Sequence, residues 1–482
     1  VYDGIATGEQ SLLALVATAT RGAVIGIASP TNGDDYQGMA EVEFTADDLV
    51  IRPTLASSAV IRGATCIVFS GDNIIVDGLI FDALDLLAGS TCDANGDSSI
   101  YLRGRGIVVK NSVFRGEAEP RTVPRLDPYN YISIRGVANT IERNVFEGKD
   151  MDLEGSAVTL FAGLSDSNRS HVIQYNLFRK FLGKSDDPSR RISTAFVLQL
   201  GRTSGMDAAG EGLMTVQYNR FDKIEADRRI IRVQSSSNFI QDNTIVNSLG
   251  MISLDDGFGT TVRRNVIVAN GEDIDEGGIS FAPLRHTIVD NYINNLATDS
   301  ILRAGLVVNH EPLSRTGNRA IIEAATDDLQ VVVARNSIVN TRQPILLEPV
   351  NCMLFAPVLL FERNLVMNQS LAMSINGNDN GSGRPGILDS AFATAGCRLS
   401  PATRFVDNHV YSSQLSQTGM FTFNGASQLN VSSGQDGASF TRDLRGLVVG
   451  TGPDTDIGVN PAELLFISEE QVGPGSTWIA PQ

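Results

Sequence analysis

Residues 239–294 read FIQDNTIVNSLGMISLDDGFGTTVRRNVIVANGEDIDEGGISFAPLRHTIVDNYIN, and one phrase occurs in them three times, as Asn243-Thr244-Ile245, Asn265-Val266-Ile267 and Asn291-Tyr292-Ile293. The spacings are 22 and 26 residues, the length of one turn of a solenoid. Working outward, the phrase returns upstream at Asn111-Ser112-Val113-Phe114, Asn144-Val145-Phe146, Asn176-Leu177-Phe178 and Asn219-Arg220-Phe221. Downstream it returns at Asn336-Ser337-Ile338 and Asn364-Leu365-Val366, and Asp77-Gly78-Leu79-Ile80-Phe81 resembles an earlier copy. Longer gaps between copies imply coils carrying insertions.

Stacked coils set each residue above its counterpart at the strand spacing of about 4.8 Å, so like sits on like. An asparagine at a bend tolerates the left-handed conformation and can hydrogen-bond along the stack, while Val, Ile and Phe beside it fill the interior. Helical periodicity fails because Gly, Asn and Asp interrupt it every few residues, whereas two-residue alternation recurs, as at Ile230–Val233. The expected fold is all-β, a right-handed parallel β-helix (solenoid) with an N-terminal capping segment. One domain is expected over residues 1–482, with a cap at 1–45, coils at 50–450, a Gly/Asn/Ser-rich loop at 376–400 and a tail at 451–482. Glu9–Val16 reads as a short helix covering the open end of the core.

The 38 Lys plus Arg stand against 55 Asp plus Glu, a net charge of −17. That balance argues against nucleic acid, which requires clustered cations. It would repel a polyanion at long range, although salt confines the effect to roughly 8 Å, so charge local to a groove matters more. No apolar run approaches the roughly 20 residues that cross a bilayer, which argues against a membrane partner. The start at Val1 suggests a processed, exported chain, secreted to the periplasm or medium. Four cysteines fit an oxidising compartment, and closeness in sequence pairs Cys66 with Cys92 and Cys352 with Cys397. No phosphate-binding glycine loop, zinc cluster or serine nucleophile elbow is present.

Several landmarks occur in order: Leu200-Gly201-Arg202-Thr203-Ser204, Tyr218-Asn219-Arg220-Phe221, Val233-Gln234-Ser235-Ser236-Ser237-Asn238, Gly250 to Gly257, Gly277-Gly278-Ile279, His286, and Val472-Gly473-Pro474 before Trp478. In these the sequence resembles polysaccharide lyase family 6, the β-helix group containing alginate lyases and chondroitinase B. The resemblance implies β-elimination, in which a uronate carboxylate is neutralised, a base removes the C5 proton and an acid assists the leaving oxygen. In that family a calcium ion, a lysine and an arginine fill these roles. By position, the calcium-ligand asparagine matches Asn219 and the first acidic ligand Asp227, but the second acidic position is Arg229, which breaks the calcium site. The lysine corresponds to Gln234, the arginine to Asp255, the neighbouring histidine to Asp256, and a further groove arginine to Gln199.

Three readings follow. In the first, Arg229 neutralises the carboxylate without metal, since a guanidinium pairs bidentately with a carboxylate, and the base is His286, Arg202, Arg232 or a residue outside the matched phrases. In the second, carboxylates from Asp227, Asp255 and Asp256 perform hydrolysis. In the third, the chain binds glycan without turnover. The leading expectation is an extracellular lyase acting without calcium on a uronic-acid glycan such as alginate, with no cofactor, as a monomer or weak homodimer. Asp255, Asp227, Gln234, Asp256 and His286 are the catalytic candidates, and Arg229, Arg232, Arg202, Gln199 and Asn219 the substrate-binding ones. Structural roles compete with these. Asp255-Asp256-Gly257 reads equally as a coil turn, Gln234 and Gln199 as polar stack, Asn219 as a repeat residue and His286 as a packed histidine. Arg229 equally reads as the partner of Asp227, Glu225 or Asp255, and Asp273, Asp275 and Glu276 as a solvated acidic loop.

Overall fold

The computed structural model describes residues 1–30, 36–55, 60–87, 89–92, 98–116, 130–149, 157–160, 170–181, 196–201, 212–273, 275–298, 303–308, 330–347, 358–368, 403–412, 419–423, 427–433, 440–442, 448–451 and 458–474. The chain divides into two compact units: unit 1 comprises Val1–Arg202, Gly212–Arg228 and Ile467–Gln482, and unit 2 comprises Thr203–Glu211 and Arg229–Phe466. Each is a right-handed parallel β-helix, the hand that right-twisted strands impose on parallel crossovers.

Successive coils contribute strands to three sheets. In unit 1, sheet A includes Val108–Lys110, Thr140–Glu142, Val172–Gln174 and Thr215–Gln217. Sheet B follows in each coil with Val113–Arg115, Val145–Glu147 and Leu177–Phe181. Sheet C completes the turn with Ser98–Leu102, Asn130–Ile134, Val158–Leu160 and Leu198–Leu200. Unit 2 repeats the order, for example Thr261–Arg263, Val266–Val268 and Glu276–Phe281. Registers hold without slip through the Phe column Phe81, Phe114, Phe146, Phe178 and Phe221. Their rings stack at 4.7, 4.6, 4.9 and 4.9 Å, the strand spacing itself.

The repeated asparagine lies inside the coil between sheets A and B. Asn176 Oδ1 accepts the Asn144 N–H at 2.9 Å, and Asn219 Oδ1 accepts that of Asn176 at 2.9 Å. In unit 2 the same bond links Asn243, Asn265, Asn291, Asn336, Asn364 and Asn408. Two details depart from expectation. The left-handed conformation belongs to the residue before the asparagine, such as Arg143, Tyr175, Tyr218, Asp242, Arg264 and Asp290, because the asparagine must turn inward to bond the next coil. At the first copy the register moves by one, so Asn111 occupies the left-handed corner and Ser112 the ladder.

A helix, Glu9–Thr18, packs on strands Gly4–Ala6 and Glu41–Phe44 and buries Leu12. Those two strands already pair with Val24–Ile27 and with Cys66–Phe69, so stacking begins within the first residues. Parallel pairing runs to Ser427–Ser433, which also pairs antiparallel with Gly419–Phe423, and Phe440–Arg442 pairs antiparallel with Val448–Thr451. The later segment returns over sheet B: Val459 and Leu464 pack with Val266, Tyr292 and Leu365 in unit 2, and Ile467 and Val472 with Leu177 in unit 1. Among the described residues no helix is long and apolar enough to cross a membrane.

Cys66 and Cys92 form a disulfide across 26 residues, as expected. Cys352, Cys397 and the 376–400 loop lie outside the described residues. Closing a loop of this length stabilises by about 3 kcal/mol. Replacing both Cys66 and Cys92 by serine is therefore expected to lower the denaturant midpoint by that equivalent, and an unchanged midpoint would show that the bond constrains nothing.

Candidate active site

Strand Arg220–Val233 leaves sheet B and ends in sheet C, and its last residues, Arg229–Val233, belong to unit 2. Ile231 and Val233 point inward, which sends Arg232 to the outer face. Strand Leu249–Leu254 does the same with Ser253, set between the buried Ile252 and Leu254. The chain then turns, and the N–H groups of Asp255 and Asp256 both donate to Val233 O at 3.0 and 3.1 Å. Gly257 completes the turn at φ +77°, where a Cβ would stand 2.4 Å from Ser235 O. The turn role of Asp-Asp-Gly is therefore real, and it aims both carboxylates at the outer face of sheet C.

Five candidates converge there. Arg232 Nε donates to Asp255 Oδ2 at 3.0 Å, and Arg229 Nε makes an ion contact with the same oxygen at 2.7 Å, outside hydrogen-bond alignment. Ser253 Oγ donates to Asp255 Oδ1 at 2.6 Å. Gln234 Nε2 donates to Asp256 Oδ2 at 3.1 Å. The Asp255 side chain is 1% exposed, that of Arg229 9% and that of Arg232 17%, so this charge cluster is partly withdrawn from water. A carboxylate so placed is stable only with its counter-ions. Of the three acids weighed for Arg229, Asp255 is in contact with it.

The other candidates are placed one by one. His286 is fully buried, its Nδ1 accepting the Thr260 N–H at 3.2 Å, and desolvation lowers its pKa to about 3. As a correction, it cannot reach a glycan, because it substitutes for an asparagine in an interior ladder. Asn219 is corrected likewise: it is fully buried, with Oδ1 accepting from Asn176 and Nδ2 donating to Ile173 O and Gln217 O. Gln199 is on sheet C of unit 1, in register with Thr159. The Asp227 side chain and Arg202 lie outside the described residues.

Of the residues matched to the calcium position, the Asp227 side chain lies outside the described residues. Asn219 has its oxygen committed inward, and Arg229 is itself a cation. The acidic loop also differs from a solvated one: Asp275 is ion-paired to Arg303, and Glu276 is buried, accepting the Ala297 N–H at 2.8 Å, with its pKa raised by desolvation.

Two residues escaped the sequence reading. Ser253 was detectable from alternation, since Met251-Ile252-Ser253-Leu254-Asp255 puts it on the outer face. Ser280, in register with it, has a buried Oγ without a hydrogen-bond partner among the described residues.

The family model for chondroitinase B matches residues 45–351, well over half of the 482. The chain belongs to the chondroitinase B family. No curated protein matches the sequence. Among solved structures, the family 6 alginate lyase AlyGC superposes with a TM-score of 0.73 at 19% identity, covering 99% of this chain and 58% of that one. This chain thus spans little more than half of AlyGC. A family 6 alginate lyase solved with a trisaccharide gives 0.62 at 19% identity, covering 98% and 93%. A mannuronic-acid-specific family 6 lyase from human gut microbiota gives 0.55 at 16%, covering 90% and 82%. At these identities the likeness establishes the shared fold. As a chondroitinase B family member, the protein falls in a family of polysaccharide lyases, as the motifs implied.

Proposed function

We propose that the protein is a secreted polysaccharide lyase that cleaves a uronic-acid glycan such as alginate by β-elimination, without calcium. The observation carrying this is the convergence of Arg229 and Arg232 on one carboxylate oxygen, that of Asp255. Elimination first requires that the substrate carboxylate be neutralised, so that the C5 proton becomes acidic. Each guanidinium meets Asp255 through Nε, and the planar fork of a guanidinium suits recognition of a planar anion such as a uronate carboxylate. Asp255 fixes the two cations close together, and Ser253 fixes Asp255.

A base then takes the C5 proton, the C4–C5 double bond forms, the C4–O bond breaks and the leaving oxygen is protonated. Of the residues weighed for the base, His286 is excluded by its interior position. Asp256, oriented by Gln234 at the adjacent turn position, is the acceptor this reading assigns. Hydrolysis receives less support, since Asp255 is committed as the shared counter-ion of two arginines and is not available as a proton donor. The Cys66–Cys92 disulfide supports export to an oxidising compartment.

The test is incubation with alginate, chondroitin, pectin, fucoidan and neutral glucans, with chelator, recording unsaturated-uronate absorbance and reducing ends together. Both signals are expected to rise on a uronate-containing glycan and neither on a neutral one. Reducing ends without absorbance would establish hydrolysis instead, and silence on every glycan would leave a binding protein.

A further inference from the structure

In unit 2 the chain between strands Val266–Val268 and Glu276–Phe281 carries Asn270-Gly271, the one Asn-Gly pair among the described residues. Asn32, Asn95, Asn376, Asn380 and Asn424 also precede a glycine and lie outside the described residues. An asparagine in this position is open to attack on its amide carbon by the following backbone nitrogen, since glycine has no Cβ to shield that nitrogen. Both Asn270 and Gly271 are exposed. Gly271 has φ +76°, and a Cβ there would stand 2.9 Å from the Asn295 side chain, so the position is held to glycine.

Three groups surround the pair as acyl transfer requires. Asn270 Oδ1 accepts the Glu272 N–H at 3.1 Å, closing a side-chain turn around Gly271. The same N–H donates to the oxygen on which negative charge develops when Cγ is attacked. Asn270 Nδ2 donates to Glu272 Oε2 at 2.9 Å, which sets a carboxylate against the nitrogen that departs. The Glu276 carboxylate faces the N–H of Gly271, the nucleophile. Glu276 is 1% exposed, and desolvation raises its pKa, which makes it a stronger base. The Ala297 N–H of the next coil, 2.8 Å away, fixes it in place. Asp273 and Asp275 are engaged elsewhere, Asp273 by the Asp275 N–H and Asp275 by Arg303.

We infer that Asn270 is a self-modifying site, converted to aspartate or isoaspartate with Glu276 as the base and Glu272 steadying the amide. Glu276 takes the proton of Gly271 N, the N–Cγ bond forms and the carbonyl electron pair moves to Oδ1. The pair returns as the Cγ–Nδ2 bond breaks, and Nδ2 leaves as ammonia carrying that proton. Water then opens the cyclic imide at either carbonyl, which restores the N–H and leaves a carboxylate. The product places a new negative charge beside Glu272 and Asp273. Isoaspartate also lengthens the backbone by one carbon, in the segment where Asp275 O accepts the Gly250 N–H of the strand that carries Ser253.

The test compares the native protein with the same chain unfolded in denaturant, both held at neutral pH and digested at intervals. Peptide masses report loss of ammonia and then gain of water at each Asn-Gly pair. The unfolded chain gives the rate set by local sequence alone. Native Asn270 is expected to convert about tenfold or more faster than that. E276Q removes the base and E272A the carboxylate at the leaving nitrogen, and each, with thermal unfolding preserved, is expected to bring Asn270 down to the unfolded rate or below. Native conversion no faster than in the unfolded chain overturns the inference, and so does an unchanged native rate in folded E276Q. Should E276Q not fold, E272A, changed at an exposed residue, decides by the same criterion. No glycan enters the experiment, so its outcome is independent of the lyase reading.

Discussion

Replacing Asp255 by alanine is expected to destabilise the protein by about 3–5 kcal/mol, because removal of one member of a buried ion cluster strands the others. Arg229 and Arg232, with side chains 9% and 17% exposed, would face each other without the carboxylate that holds both, and Ser253 Oγ would lose its acceptor. The triple change R229M/D255L/R232M removes all the charges together and is expected to recover much of the loss, since apolar residues of similar volume avoid the desolvation cost. Denaturant midpoints of the two proteins decide the point. Equal midpoints for native protein and D255A would mean that the arginines do not depend on Asp255. The same triple change removes the two cations proposed to meet the substrate carboxylate, so stability and turnover should separate: D255A unstable, the triple variant stable and inactive.

The second large effect is acid lability arising at His286. Burial lowers its pKa from 6.5 to about 3, so the folded state resists a proton that the unfolded chain takes up near pH 6.5. The unfolded state therefore binds more protons across this window, and stability rises with pH. Its contribution is fully present above pH 6.5 and is lost progressively as pH falls toward 3, by roughly 5 kcal/mol in total. His286→Asn keeps an acceptor for the Thr260 N–H but does not titrate. The variant should follow the native protein above pH 7 and exceed it increasingly below pH 6, when unfolding is measured at a series of pH values. Parallel pH profiles would show that the histidine does not govern the slope.

The fold was legible because a solenoid writes itself repeatedly. Asn144, Asn176 and Asn219 recur because each bonds the next, so any one substitution strands a buried N–H, and the Phe column recurs because its rings must nest. Such constraints hold the same residue type at the same phase, which is what the eye detects. Where a different side chain can do the same job, the pattern blurs: Ser112 replaces asparagine at the first copy, and the imidazole of His286 supplies an acceptor in its own ladder. His286 thus drew attention as a rare titratable residue although its role is that of an amide. The site was legible only in part, for a related reason. Arg229, Gln234, Asp255 and Asp256 stood out by departing from a family pattern, and they do gather on one face. Asn219 matched the pattern and is interior. What separates them is the direction of the side chain, and the half-turn that decides it, at the corner before each asparagine, depends on backbone conformation rather than on residue type.

The return of the chain over sheet B bears on how the protein is made. Leu177 is synthesised some 290 residues before Ile467, which covers it, and Arg220 is bonded by its Nη1 to Ile467 O across 247 positions. Until that later segment is made, the early coils carry an uncovered greasy seam, and long-range closure of this kind is slow and prone to sticking. A nascent chain in that condition needs escort, and one cut short before Ile467 would be born with the seam permanently open.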